Sequence, residues 1–210
     1  MKTQRPTATR TLPEGYRESD ALDFRTNRRQ LLVSYGLRLV GLLVFVPLFG
    51  ALSAALHPEL QRAPLMLVDI SLPGLGESFS ILFVALDVVI VLWLHELVHG
   101  AAFRLAGARG VRIGVRGLVI YAAAPECYVR RNAMIANALA PVIVLSLLGL
   151  LLLATLPISA LSWVFIPVVI NAAAAGGDFQ FLFWLRATPR EALVLDRGDV
   201  IVSYVPVARA

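Results

Sequence analysis

The stretch "VLWLHELVHG" (Val91–Gly100) sets two histidines and a glutamate at the end of an apolar run that a lipid bilayer would accept. A polar or charged group at membrane depth is costly unless it is paired or ligated. The chain carries only three histidines among 210 residues, and two of them fall in the pattern H-E-x-x-H at His95, Glu96 and His99. On a helix, residues four apart differ by about 40° in azimuth and one turn in height, so both imidazoles can reach one ion. Glu96 projects nearby and has the chemistry of a general base for a water held there. The bland alternative is a pair of hydrogen-bonded bundle histidines. It leaves three ionisable groups in a span without a reason.

Outward from the motif, the composition is that of a membrane protein. Hydrophobic residues make up 58% of the chain and charged residues 16%. About 20 apolar residues in helical form cross a bilayer core. Four segments qualify, at about 39–56, 79–106, 133–156 and 161–185. Pro47, Pro141 and Pro167 lie inside three of them, as membrane helices tolerate. The net charge of +5 does not point to nucleic acid, because no basic-aromatic groove pattern accompanies it. The single cysteine, Cys127, excludes an internal disulfide framework.

Lys and Arg set the orientation. The tail before span one, the segment between spans two and three, and the C-terminal tail together hold eighteen of them. The loop between spans one and two holds only Arg62, and "PISA" between three and four holds none. The sequence therefore predicts both termini in the cytoplasm of a multi-pass protein of the inner, cytoplasmic membrane. Residues 1–30 read as a mobile basic cytoplasmic tail, 31–186 as a four-span core and 187–210 as a short cytoplasmic tail. Two stretches alternate like strands, Gly110–Ala123 around Arg116-Gly117 and Ala192–Pro206 around "DRGD". The expected fold class is all-α integral membrane, a four-helix bundle with small cytoplasmic β-hairpin segments.

A catalytic zinc takes three protein ligands and an open position. Depth selects the third. His95 lies about 15 residues along span two, roughly 22 Å at 1.5 Å per residue. Asp178 lies about 17 residues along span four, roughly 25 Å by the same rise. The rivals fit less well: His57 sits at the outer end of span one, and Asp87 about 12 Å further out on span two. Glu126 and Cys127 lie in a loop that no span fixes. Asp178 also follows Gly176-Gly177, which lets a neighbouring helix or substrate backbone come close. Asn137 in span three fits either an oxyanion donor or interhelical glue. Asn171, seven residues before Asp178, fits glue.

With "HELVHG", "NALAP" and "NAAAAGGDFQF", the chain resembles the small bacterial zincin peptidase family over about residues 35–205. That family is itself similar to site-2-protease-type intramembrane zinc metalloproteases. The resemblance implies Zn2+ held by His95, His99 and Asp178, with Glu96 catalytic, and a membrane-anchored protein segment as substrate. It departs where "GGDFQ" stands in place of the commoner Leu-Asp-Gly, and no PDZ-like domain is present. The rival class is a non-catalytic metal-binding scaffold or transporter component, since intramembrane His and Asp also mark ion paths. Association into a homo-oligomer stays open. Reporter fusions after residues 30, 115 and 200 are expected to report cytoplasm, and one after 65 the outer side. An outer-side signal at 115 would overturn the four-span topology.

Overall fold

A computed structural model of the chain describes residues 7–71, 77–117 and 119–207. Leu118 in the first expected hairpin and Arg209 in the C-terminal tail lie outside the described residues. Five α-helices are present among them: α1 (Arg28–Leu56), α2 (Glu77–Leu105), α3 (Arg131–Thr155), α4 (Ser162–Ala174) and α5 (Gly176–Ala187). Four segments are long and apolar enough to cross a membrane, namely Arg28–Leu56, Phe79–Leu105, Arg131–Thr155 and Ser162–Ala187. The first begins at Arg28, three residues inside what reads by sequence as the basic tail. Large apolar side chains such as Leu32, Leu43, Leu82 and Leu147 stand exposed along these helices, as suits a lipid-facing surface. This is a multi-pass membrane protein.

The fourth span is not one helix. Ala175, with ψ of 4°, ends α4, and α5 restarts at Gly176. A Cβ at Gly176 would lie 2.6 Å from the backbone nitrogen of Arg38, so α1 runs directly against the break. Gly41 repeats the contact, 3.0 Å from the Ala173 Cα by the same measure. Small residues thus let these backbones approach closely. The consequence for function is that Asp178 falls in the first turn of α5, where the helix dipole favours an anion.

The larger correction concerns the β structure. The strands are β1 (Ala8–Thr9), β2 (Tyr16–Asp23), β3 (Arg112–Arg116), β4 (Val119–Arg130), β5 (Leu193–Asp196) and β6 (Val200–Pro206). They form one six-stranded antiparallel sheet ordered β1-β4-β5-β6-β2, with β3 also paired to β4. The all-α fold with small hairpins is therefore too modest. Both expected hairpins exist, but β4 runs on to Arg130, and β5 joins it. Residues 16–23 are a strand paired to β6 and not a mobile tail. Their "YRESDALD" buries only Leu22, so backbone hydrogen bonds rather than an apolar face hold this edge.

The chain forms two compact units. One gathers Met1–Tyr35, Glu96–Ala140 and Gly177–Ala210. In it, one face of the sheet packs through Ala124, Val129, Val194 and Ile201 against Phe103 of α2, Met134 of α3, and Phe181 and Leu185 of α5. The alternate residues Leu193, Leu195, Val202 and Tyr204 form a second cluster, as period-two alternation requires. The Arg131 Nε–H donates to the Leu185 carbonyl at 2.6 Å, capping α5 with a cation. The other unit gathers Gly36–His95 and Pro141–Gly176. Its core joins Phe49 and Leu153 to Phe165, Val168 and Val169 of α4. His57 Nε2 lies 2.6 Å from the Leu153 carbonyl there.

Gly176→Val is expected to lower stability in detergent by about 2 kcal/mol, the usual size of overpacking. Its added atoms meet backbone, which cannot rotate away. Thermal or denaturant unfolding of the purified variant checks it.

Candidate metal centre

The site is built on α2, which runs unbroken through the motif, so His95 and His99 stand one helical turn apart. Both rings are buried, at 5% and 7% exposure. Asp178 from α5 brings its Oδ1 to 3.2 Å from the His99 Nε2. His95, His99 and Asp178 each offer one ligand atom, and the three atoms lie within 4.8 Å of one another. Ligands bound at about 2.0–2.1 Å in a tetrahedron stand roughly 3.3 Å apart, so the His99–Asp178 spacing fits a shared ion.

The remaining ring nitrogens fix which atom faces that position. The His95 Nδ1 is 2.9 Å from the Asn171 Oδ1 on α4. The His99 Nδ1 is 3.1 Å from both the backbone oxygen and the Oδ1 of Asn137 on α3. A carbonyl oxygen only accepts, so each Nδ1 carries the hydrogen and each Nε2 keeps its lone pair. That is the tautomer a metal ligand needs, held in the way metal-bound imidazoles are usually held. The Asn137 Nδ2 in turn donates to the His99 carbonyl at 3.0 Å. The buried Nδ2 of Asn171 has no hydrogen-bond partner among the described residues. Two imidazoles and one carboxylate suit zinc, and also other divalent transition metals. The donor set and its tautomers fit a bound metal ion.

Depth counting in the sequence brings together the same three residues. The competitors go elsewhere. Glu126 pairs with Arg112 at 2.7 Å on the exposed β3–β4 hairpin. Cys127 is buried with its Sγ donating to the Arg109 carbonyl and accepting from the Arg109 N–H. His57 serves Leu153, and Asp87 lies two turns before His95, outside the cluster. Glu96 is half-buried beside the ligands. Asn137 sits at the expected level, with its amide engaged by His99.

Two neighbours are not singled out by motif reading, Gly100 and Asp196, and a third, Asn171, has a further role. Asn171, which by sequence fits interhelical glue, supports His95 as well. The need of each buried Nδ1 for an acceptor is the signal that finds it. Gly100 closes "HELVHG", and a Cβ there would lie 2.7 Å from the Ile113 Cδ1, so β3 rests on α2 one residue past His99. Asp196 ends β5 and is buried, which pushes its carboxyl up to about 7. The Gly198 N–H bond and the field of His99 oppose that rise, while Glu96 and Asp178 add to it.

Fold and site together define a membrane protein with a candidate metal centre of two histidines and an aspartate. The profile of the family described as "putative zincin peptidase" matches residues 88–193, half of the chain. The chain belongs to that family. No curated protein and no solved structure matches it. The family match and the ligand cluster support a metal-dependent enzymatic role.

His95→Ala, His99→Ala and Asp178→Ala are each expected to remove most of the metal that copurifies with the wild type. Cys127→Ser and Glu126→Gln are expected to retain it. Asn171→Leu and Asn137→Leu should weaken metal affinity by about 10–100-fold, the usual cost of losing a partner behind a ligand. Metal content by elemental analysis, with a chelator titration, checks all seven.

Proposed function

We propose that the chain is a zinc-dependent intramembrane peptidase of the site-2-protease kind. Its substrate is a membrane-anchored protein segment, cut in or near the bilayer. The protein resides in the inner membrane with both termini and the sheet on the cytoplasmic side. The observation that carries this is the convergence of His95, His99 and Asp178 on one ion position, within the residues matched to zincin peptidases.

Zinc, when bound, supplies a Lewis acid that makes water acidic and polarises a carbonyl. His95, His99 and Asp178 hold it, and Asn171 and Asn137 hold the rings. Glu96 takes the proton of the attacking water as general base. Of the two asparagines, Asn171 keeps an undirected Nδ2 and is the better donor to a developing oxyanion, because the Asn137 amide already serves α2.

A helical substrate hides its amides, so it must be unwound to be cut. The free side of β3 pairs with no strand among the described residues, and Gly100 seats β3 beside the motif. An extended segment adding to that edge would be held by main-chain hydrogen bonds close to the ion.

Glu96→Gln keeps shape and hydrogen bonding but cannot accept the proton. It is expected to retain the zinc and to lose cleavage by roughly 10²–10⁴-fold. The measurement is cleavage of a panel of single-span segments by purified protein, with and without chelator. Normal cellular function in Glu96→Gln, with loss in the three ligand variants, would instead mean a metal-binding scaffold or a transporter component.

A further inference from the structure

We propose that Asp196 is a second catalytic carboxyl of this centre, the acid that protonates the leaving amine while Glu96 serves the attacking water. The role rests on the peptidase reading. It starts from strand register. Val194 and Asp196 are two apart on β5 and so share a face of the sheet. Val194 packs in the cluster with Phe103 and Phe181. Phe103 lies one turn beyond His99 on α2, and Phe181 three residues beyond Asp178 on α5. The face carrying Asp196 is therefore the face on which the cytoplasm-proximal ends of two ligand-bearing helices rest. Its cross-strand neighbours, Ala124 on β4 and Ile201 on β6, are buried in the same cluster.

The bland role for Asp196 is to cap the "DRGD" turn. It does accept the Gly198 N–H at 2.7 Å on Oδ1. A capping aspartate has no need of burial, yet Asp196 is 8% exposed, and the Gly198 bond uses only its Oδ1. Asp199, the other aspartate of the turn, shows the ordinary case, paired at the surface with Arg116 at 2.6 Å. Asp196 also feels the charges of Glu96, Asp178 and His99. Asp196, buried and with only Oδ1 used by the turn, is placed to hold a proton. Glu96 must start ionised to act as base, and Asp178 must be ionised to ligate. Asp196 is left to hold the proton.

The step balances. Water loses one proton to Glu96, and its oxygen bonds the scissile carbon. The C–N bond then breaks, and the nitrogen takes the proton of the Asp196 carboxyl. Glu96 releases its proton to solvent, and Asp196 regains one from solvent. The products are a carboxylic acid and an amine, with nothing oxidised or reduced.

The test uses full-length protein loaded with zinc and a single-span synthetic segment that the wild type cleaves. The segment is prepared with either the amide or a thioester at the scissile bond. A thiol leaves as its anion, with a pKa of about 8.5, and needs no acid, whereas an amine does. Asp196→Asn keeps an oxygen for the Gly198 N–H but has no proton to give. It should keep the zinc and the thermal stability of the wild type. It should lower the ratio of amide to thioester cleavage by roughly 10²-fold. Glu96→Gln should depress both cleavages and leave that ratio much less altered. An unchanged ratio in Asp196→Asn overturns the role, as does loss of zinc or of stability in that variant, which would make the residue structural. A zinc-loaded wild type that cleaves no segment of a single-span panel overturns the peptidase reading and this role with it.

Discussion

Each imidazole inside a membrane span must have both ring nitrogens engaged, because an unmet polar group there costs several kcal/mol. That requirement organises the site. His95 meets it through Asn171 on α4, and His99 through Asn137 on α3. Each acceptor fixes the hydrogen on Nδ1 and turns Nε2 toward a common point. The helices that carry the asparagines are therefore held to α2 by the same bonds that prepare the ligands. The break at Ala175 completes the arrangement by starting a new helix whose first turn carries Asp178. A straight fourth span would give the carboxylate no helix N-terminus.

Glycines decide how closely backbones and strands come to these groups. Gly176 admits α1 at the break, and Gly100 admits Ile113 of β3 against α2 beside His99. The glycine after H-E-x-x-H is thus a seating for the sheet. The same sheet presents Asp196 from β5 on the face that packs under α2 and α5. Membrane helices supply the ligands and the asparagines behind them, and the sheet packs against the ends of those helices.

Much of the site was legible because the chemistry is sparse. Three histidines in an apolar chain leave few ways to explain two of them in one turn. Depth then chooses Asp178 over His57 and Asp87. The spans were legible from length and hydropathy, and the two hairpins from alternation around Arg116-Gly117 and "DRGD". What escaped was set by backbone pairing and by burial. The strand Tyr16–Asp23 has no apolar stripe to announce it, since β6 holds it through main-chain bonds. Gly176-Gly177 announces the close approach of a neighbouring helix, which proves to be α1 at Arg38, but not the break in the fourth span beside it. Asp196 looks like any turn aspartate until the register of β5 shows which face it is on.

The sheet also bears on how such an enzyme would choose substrates. On the peptidase reading, a segment added to β3 is gripped by backbone hydrogen bonds, which are blind to side chains. Arg112 and Arg116, alternating along that strand, are tied back to Glu126 and Asp199 and leave little charge to discriminate with. Gly114 between them is backed by the Tyr121 ring and offers no pocket of its own. The main energetic difference between candidate segments is then the cost of leaving the helix. That cost is low where Gly or Pro already weakens it. Selection would act on the stability of the substrate helix near the site more than on the residues flanking the bond.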